Sequence, residues 1–173
     1  MLGGFAGQVT ESAIKEIEIE YVGRVAEMNL KPLTAALTAA LLKPALGDGV
    51  NMVSAPIMAK ERGVAISETR RDAQGAFGSY VRLMVTTEKQ TRSVAGTIFS
   101  DGKPRFIQIK GVDIECAPME QMLYTTNEDT PGYVGALGSK LGALGVNIAT
   151  FAMGRNSPGG EAIALIGVDQ PLS

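Results

Sequence analysis

The segment Asn127–Tyr133 combines residue types that could bind a small amino acid. Asp129 follows an alternating, strand-like run, and Pro131 then opens a helical pattern. A helix N-terminus presents free N–H groups and the positive end of the helix dipole, which suit a carboxylate, while Asp129 could accept hydrogen bonds from an ammonium group. Asn147, beyond the helix, has donor and acceptor atoms that could recognise a small polar side chain. Two structural alternatives stay open: Asp129 or Thr130 as the helix N-cap, and Asn147 as a turn residue.

The composition excludes several kinds of chemistry. The 173 residues contain no histidine, which excludes imidazole acid–base catalysis, Ser-His-Asp triads and His-ligated metals within this chain. Cys116 is the single cysteine, so an internal disulfide is impossible, and we expect this side chain to be a small buried hydrophobe. The net charge is −2, from 16 basic and 18 acidic residues, and predicts no binding to nucleic acid or to an anionic membrane. Composition therefore excludes histidine-dependent catalysis, and we expect no metal site; that the chain has no catalytic residue is implied by the resemblance described below.

A stripe of glycines lies within the helical pattern that follows Pro131: Gly135, Gly138, Gly142 and Gly145. It fits neither the dinucleotide-binding G-x-G-x-x-G motif nor a P-loop, because both motifs place their glycines in a turn before a helix. Glycine costs about 1 kcal/mol per helical position relative to alanine. The stripe therefore indicates close approach of another backbone or a ligand. Tight packing of the helix on its own sheet is the alternative.

The first part of the chain predicts one strand and two helices. Strict alternation over Ile14–Val22 predicts a strand with one buried face, Ile17, Ile19 and Tyr21, and one face in water, Glu16, Glu18 and Glu20. The next helix is opened by Pro32, buries the stripe Leu33, Leu37 and Leu41, and ends at Pro44 and Gly47. The second helix has Ser54 as its N-cap and stops at Gly63. The apolar stretch Leu33–Leu46 is too short and polar to span a bilayer, and the N-terminus lacks the features of a secretory signal, so we expect a cytoplasmic protein.

The remaining pattern is a series of strands around one more helix. Strands are predicted at Tyr80–Thr86, Arg92–Phe99 and Pro104–Lys110, with Asp101-Gly102 as a hairpin turn. A β-α-β-β unit follows: Met122–Thr126, a helix over Pro131–Leu144, Val146–Met153 and Ala162–Val168. We predict an α+β fold, an α/β sandwich, with a linker at 1–12, a domain of mixed sheet and two helices at 13–117, and a second domain at 118–173. The second sheet, with one helix, has an open edge and predicts self-association as a dimer or tetramer.

Two segments resemble known regulatory domains. Asp129-Thr130-Pro131-Gly132 after a strand, with Gly145-Val146-Asn147-Ile148 at the far end of the helix, resembles the ACT domain, a ferredoxin-like βαββαβ module that senses amino acids. Upstream, Val50–Pro56 followed by Ala59–Val64 resembles the intervening, allosteric-substrate-binding domain of the long 3-phosphoglycerate dehydrogenases. Compared with that family, the ACT unit is expected to stop after its third strand, and the catalytic Rossmann domains are absent.

The resemblance implies the regulatory part of an NAD-dependent enzyme of L-serine synthesis, inactive by itself and without a cofactor in this chain. L-Serine would bind between paired ACT domains, with Asp129 on its ammonium, Asn147 on its carboxylate or hydroxyl, and Asn127 bordering the pocket. A basic cluster in some relatives implies an anion site here at Lys103, Arg105 and Lys110. The alternatives are a structural assembly module without a ligand, and the regulatory half of another serine-handling enzyme such as L-serine dehydratase.

Overall fold

The computed structural model describes residues 1–171, which form two compact units, Met1–Pro104 and a second from Arg105 onward. The first contains α1 (Leu2–Gln8), β1 (Ile14–Gly23), α2 (Leu30–Leu46), α3 (Ser54–Glu61), β2 (Ala65–Arg71), β3 (Ser79–Thr87) and β4 (Thr91–Ile98). The chain then continues through β5 (Pro104–Ile109), β6 (Val112–Cys116), β7 (Met122–Glu128), α4 (Tyr133–Ala143), β8 (Ile148–Arg155) and β9 (Glu161–Val168). The predicted α+β class is confirmed. The predicted domain boundaries stay predictions, and the last two residues of the range 118–173 lie outside the described residues.

The predicted strand β1 is the centre of the first unit. It pairs in parallel with β2 and antiparallel with β3, and β4 continues the sheet in the order β2-β1-β3-β4. Its apolar face is fully buried, as predicted, at Ile17, Ile19 and Tyr21. α2 lies against this face, where the hydroxyls of Tyr21 and Thr34 form a hydrogen bond of 2.9 Å. The opposite face was predicted to lie in water, and for Glu20 that prediction is wrong: this residue is only 5% exposed.

A short helix, α1, occupies most of the segment predicted to be a linker. It packs on α2, and its glycines make the close approach possible. A Cβ on Gly3 would lie 3.0 Å from both the Ala40 Cβ and the Leu41 backbone nitrogen, and one on Gly7 would overlap the Leu41 carbonyl. Sequence periodicity could not reveal a helix of seven residues with three glycines, because such a helix depends on tertiary packing for its stability.

Both predicted helices of the first unit are present, but they begin and end at different residues from those predicted. α2 begins at Leu30 with Asn29 as its N-cap, and it continues through Pro44 to Leu46 before Gly47, whose φ is +82°. Its most buried positions are Leu30, Thr38, Leu41 and Leu42, whereas Leu33 and Leu37 are half-buried and line an apolar groove. α3 begins at Ser54, but the capping side chain is that of Asn51, which accepts from the backbone nitrogens of Val53 and Ser54 at 2.9 and 3.0 Å.

The second unit contains a three-stranded antiparallel sheet in the order β7-β9-β8. β9 is central, as predicted, and Ala162–Ile166 are fully buried. α4 covers one face, where Leu141, Val146, Ala164, Ile166 and Val168 form the core. The hairpin β5-β6 belongs to the same unit, and Gly154 of β8 lies so close to β6 that a Cβ would overlap the Asp113 carbonyl. The three predicted strands of the β-α-β-β unit are confirmed, with α4 beginning two residues later than predicted.

Candidate functional site

Asp129 lies immediately after β7 and joins that strand to the β8–β9 turn. Its Oδ2 accepts hydrogen bonds from the Arg155 guanidinium and from the backbone nitrogen of Gly159 at 3.2 Å, while its own backbone nitrogen donates to the Gly160 carbonyl at 2.8 Å. The hydrogen bond from Arg155, followed by that from Gly159, lowers the pKa of the Asp129 carboxyl below its ordinary value. Asp129 is therefore ionised at neutral pH, with one oxygen already engaged.

The N-cap interpretation of Asp129 and Thr130 is wrong. The residue that precedes α4 is Gly132, in the left-handed region with φ +90°, and no side chain caps this helix end. Because Asp129 bonds the β8–β9 turn instead, its carboxylate fixes a loop contact rather than the start of a helix.

Asn147 lies at the other end of α4, directly before β8. Its side-chain Nδ2 donates to Asp169 Oδ2 at 2.5 Å, and its backbone carbonyl accepts from the Asp169 nitrogen at 3.3 Å. Asn147 is exposed, and the turn that contains it begins at Gly145, where φ is +71°. Asn147 therefore lies in a turn, as the turn interpretation predicts. The Asp169 carboxylate also orients its side-chain amide.

Asn127 lies in β7, two residues before Asp129. Its Nδ2 donates to the Glu128 carbonyl at 2.7 Å. Its Oδ1 is buried and has no hydrogen-bond partner among residues 1–171. A buried polar atom without a partner carries a free-energy cost.

The three predicted effector residues do not form one site within a single chain. Asn127 and Asp129 lie near the start of α4, and Asn147 lies beyond its end. α4 has 11 residues, which corresponds to roughly 16 Å of helix at 1.5 Å per residue. A free amino acid is far shorter than that distance, so one copy of the chain cannot place both ends of α4 on the same small molecule.

The glycine stripe along α4 and the turn after it does not pack on its own sheet. A Cβ added at Gly135, Gly138, Gly142 or Gly145 would meet no atom within 4 Å among the described residues. The alternative of tight packing within the chain is therefore wrong. On the same helix Val134 is 47% exposed, and Leu144, one residue beyond it, is 68% exposed.

The residues of the predicted anion site have separate surroundings. Lys103 belongs to the first unit, where its backbone nitrogen donates to Asp101 Oδ1 at 2.9 Å in the hairpin turn. Arg105 and Lys110 belong to the second unit, and Lys110 is ion-paired with Glu161. The pairing neutralises much of the charge that Lys110 would offer an anion.

Cys116 is 5% exposed, and burial raises its thiol pKa even though Arg105 opposes that shift.

Sequence reasoning assigned no role to the partners of these residues. Arg155 and Asp169 lie at the end of β8 and just beyond β9, and each forms the main side-chain contact of a predicted effector residue. A basic residue at a strand end carries no periodic signal, so the sequence could not pair it with Asp129. Among residues 1–171 no cluster of three or more His, Cys, Asp or Glu side chains could hold a metal ion, and no helix is long and apolar enough to cross a membrane.

Comparison with known proteins identifies the family. The family described as the D-3-phosphoglycerate dehydrogenase intervening domain matches residues 1–110. Curated D-3-phosphoglycerate dehydrogenases are similar over almost the whole chain: that of Bacillus subtilis is 32% identical over 171 residues, and that of Synechocystis is 35% identical over 172. Each alignment covers 99% of this chain and about a third of the relative, 33% and 31% respectively. The chain therefore belongs to the D-3-phosphoglycerate dehydrogenase intervening-domain family.

Proposed function

We propose that this chain is the regulatory part of a cytoplasmic, NAD-dependent 3-phosphoglycerate dehydrogenase and that its second unit is an ACT domain that senses L-serine. The family match and the names of relatives aligned over 99% of the chain support the parent activity. Oxidation and its NAD would belong to the two-thirds of the relatives that this chain does not match. The alternative of an L-serine dehydratase regulatory half loses support, because the matched family is that of the dehydrogenase.

The observation that carries the proposal is an unused carboxylate oxygen on Asp129, directly after β7. Asp129 Oδ1 has no partner within the described residues, since Arg155 and Gly159 both bind Oδ2. Asn127 Oδ1 is buried and unpartnered as well. Side chains two residues apart on an extended segment point to the same face. An ammonium group has three donors and no acceptor, so it is the complement of the Asp129 carboxylate, with Asn127 beside it on the same face.

Two copies of the chain would complete the site. Asn147 lies roughly 16 Å away along α4, but a two-fold axis would place the Asp129 end of one α4 beside the Asn147 end of the other. The open glycine face of α4 would allow close approach of a second copy. An effector that contacts both copies favours the associated state, and the difference in its affinity for the two states is the regulatory signal.

The test is calorimetric titration of L-serine into the 173-residue chain and three variants. Asp129→Ala and Asn147→Ala should each weaken binding roughly tenfold to a hundredfold, because each loses a polar contact to a charged ligand. Glu128→Ala is the matched control: Glu128 is exposed, adjacent to Asp129, and should leave the affinity unchanged. Equal affinities for the wild type and Asp129→Ala would contradict the assignment.

The second candidate is an assembly module that binds no effector. The observation in its favour is that Asp129 and Asn147 already have protein partners, Arg155 with Gly159 and Asp169. This candidate predicts no heat with L-serine for the wild type and association that is independent of the amino acid.

A further inference from the structure

Arg155 and Asp129 form an ion pair at one end of the sheet in the second unit. Arg155 is the last residue of β8, and Asp129 directly follows β7, so the two residues lie on either side of the central strand β9. The Arg155 guanidinium donates to Asp129 Oδ2, and the two side chains are 53% and 19% exposed. A cation and an anion are therefore held side by side where a ligand can reach both.

The β8–β9 turn holds this ion pair in place. The backbone nitrogen of Gly159 donates to Asp129 Oδ2 at 3.2 Å, and the backbone nitrogen of Asp129 donates to the Gly160 carbonyl at 2.8 Å. Arg155 is itself fixed by the pairing of β8 with β9, where it lies opposite Ala162. Groups that are positioned before a ligand arrives lower the entropy cost of binding it.

Both charged groups retain hydrogen-bonding capacity. A guanidinium group has five N–H donors, and in Arg155 only Nη1 has a partner among residues 1–171. Asp129 Oδ1 has no partner in that part of the chain, because Arg155 and Gly159 both bind Oδ2. The ion pair therefore presents a free acceptor beside free donors and has no net charge.

We propose that Arg155 binds the carboxylate of an α-amino acid whose ammonium group binds Asp129. This inference rests on the proposed sensing of L-serine, and it adds to that site a residue that the sequence pattern did not indicate. An α-amino acid is a zwitterion in which a single carbon atom separates the carboxylate from the ammonium group. It is the electrostatic complement of a guanidinium beside a carboxylate, and a guanidinium can donate two parallel hydrogen bonds to a carboxylate.

The start of α4 is the rival position for the ligand carboxylate. No side chain caps this helix end, so its backbone N–H groups are available to an anion. The partners of the two ligand charges must adjoin each other, because those charges are so close together. Arg155 is in direct contact with Asp129, whereas α4 begins only at Tyr133. With Arg155 on the carboxylate, Asn147 of a second copy would contact the hydroxyl group of L-serine.

The test combines a change in the protein with a change in the ligand, followed by calorimetric titration of the 173-residue chain at about pH 6. L-Serine is compared with L-serinamide, in which a neutral amide replaces the carboxylate, and both ligands carry an ammonium group at this pH. The wild type should bind L-serine roughly tenfold to a hundredfold more tightly, because L-serinamide lacks the charge-assisted hydrogen bonds to Arg155. Arg155→Gln should bind the two ligands with similar affinities. Lys140→Gln removes a positive charge at an exposed position of α4 and should keep the wild-type preference.

The pattern of losses separates this role from a structural one. If Arg155 only holds Asp129 and the turn, Arg155→Gln weakens both ligands equally and keeps the preference for L-serine. That result would overturn the inference and leave L-serine sensing intact, with the carboxylate at the start of α4.

A second variant decides the case in which Arg155→Gln binds neither ligand. Arg155→Lys restores the positive charge, so it should bind L-serine more tightly than L-serinamide, and equal affinities would overturn the inference. Absence of heat from L-serine with the wild type would contradict the proposed function and, with it, this assignment of Arg155.

Discussion

The contact of α1 with α2 gives a prediction that two neighbouring glycines can test. At Gly3 an added Cβ would lie 3.0 Å from the Ala40 Cβ and from the Leu41 nitrogen, and closer still to the Leu37 carbonyl oxygen. At Gly4, one residue along, an added Cβ would meet nothing within 4 Å. Gly3→Ala should therefore destabilise the first unit, whereas Gly4→Ala should stabilise it.

The magnitude follows from two opposing terms. Replacing glycine by alanine in a helix gains about 0.5–1 kcal/mol at either position, because alanine loses less backbone entropy. Steric overlap at Gly3 costs about 1–3 kcal/mol, since the overlapped atoms belong to the α2 backbone and can relax only by moving α1 away. The helix propensity cancels between the two variants. Their unfolding free energies should therefore differ by about 1–3 kcal/mol, roughly 3–10 °C in Tm for a chain of this size.

The assay is urea and thermal unfolding followed by circular dichroism, with the two variants and the wild type at the same concentration. Gly4→Ala should unfold last, the wild type next and Gly3→Ala first. Equal stability of the two variants, or a more stable Gly3→Ala, would refute the close packing of α1 on α2.

Three further predictions concern charged and nucleophilic side chains. Glu20→Gln should lower the free energy of unfolding in urea by about 1.5–3 kcal/mol, because the guanidinium groups of Arg71 and Arg82 lose their shared carboxylate. The control is Glu16→Gln, at an exposed position of β1, which should change the free energy of unfolding by less than about 0.5 kcal/mol. Cys116 should react with iodoacetamide at pH 8 only as the protein unfolds, since the thiol is buried and its pKa is raised; alkylation at the rate of an exposed thiol would disprove this. The folded-state pKa of Asp129 is lowered, so its contribution to stability is present above the unfolded-state pKa and disappears as the pH falls through the folded-state value. The protection factor of the Gly159 amide, which is its exchange rate relative to that of the unfolded chain at the same pH, should therefore fall on acidification in the wild type, and an equal fall in Asp129→Asn would contradict this.

Periodic apolar residues predicted most of the fold correctly. Alternation identified β1, and the Ile17, Ile19 and Tyr21 face is buried as the pattern requires. The run of apolar residues in Ala162–Val168 identified the central strand of the second sheet. These signals succeed because a strand or helix that buries one face must repeat its apolar residues at the period of that element.

Tertiary pairing explains the predictions that were wrong. Glu20 lies on the face predicted to be in water, but β2 and β3 bring Arg71 and Arg82 over it, and neither strand's register is encoded within β1. Asp129 lies at a position typical of an N-cap, yet Arg155, 26 residues away, binds its carboxylate instead. Short local motifs cannot specify such distant partners.

The candidate effector site was likewise predictable from the sequence only in part. The spacing of Asp129 and Asn147 identified the two ends of one helix, and the structure places them there. Their separation of roughly 16 Å follows from the 11 residues of α4 in the structure, whereas the longer helix predicted from the sequence, Pro131–Leu144, gives about 21 Å. The face of α4 that a second copy could approach is the one that stays uncovered, and only the structure reveals that face.

If L-serine binds between two copies of this chain, it must change their association, and sedimentation equilibrium with and without L-serine measures that change. A ligand that bridges two copies must strengthen their association by the factor by which association strengthens ligand binding. We predict that saturating L-serine lowers the dimer dissociation constant at least about tenfold, that D-serine does not, and that Asp129→Ala removes the effect. A dissociation constant that is the same with and without L-serine would show that the amino acid does not bridge two copies.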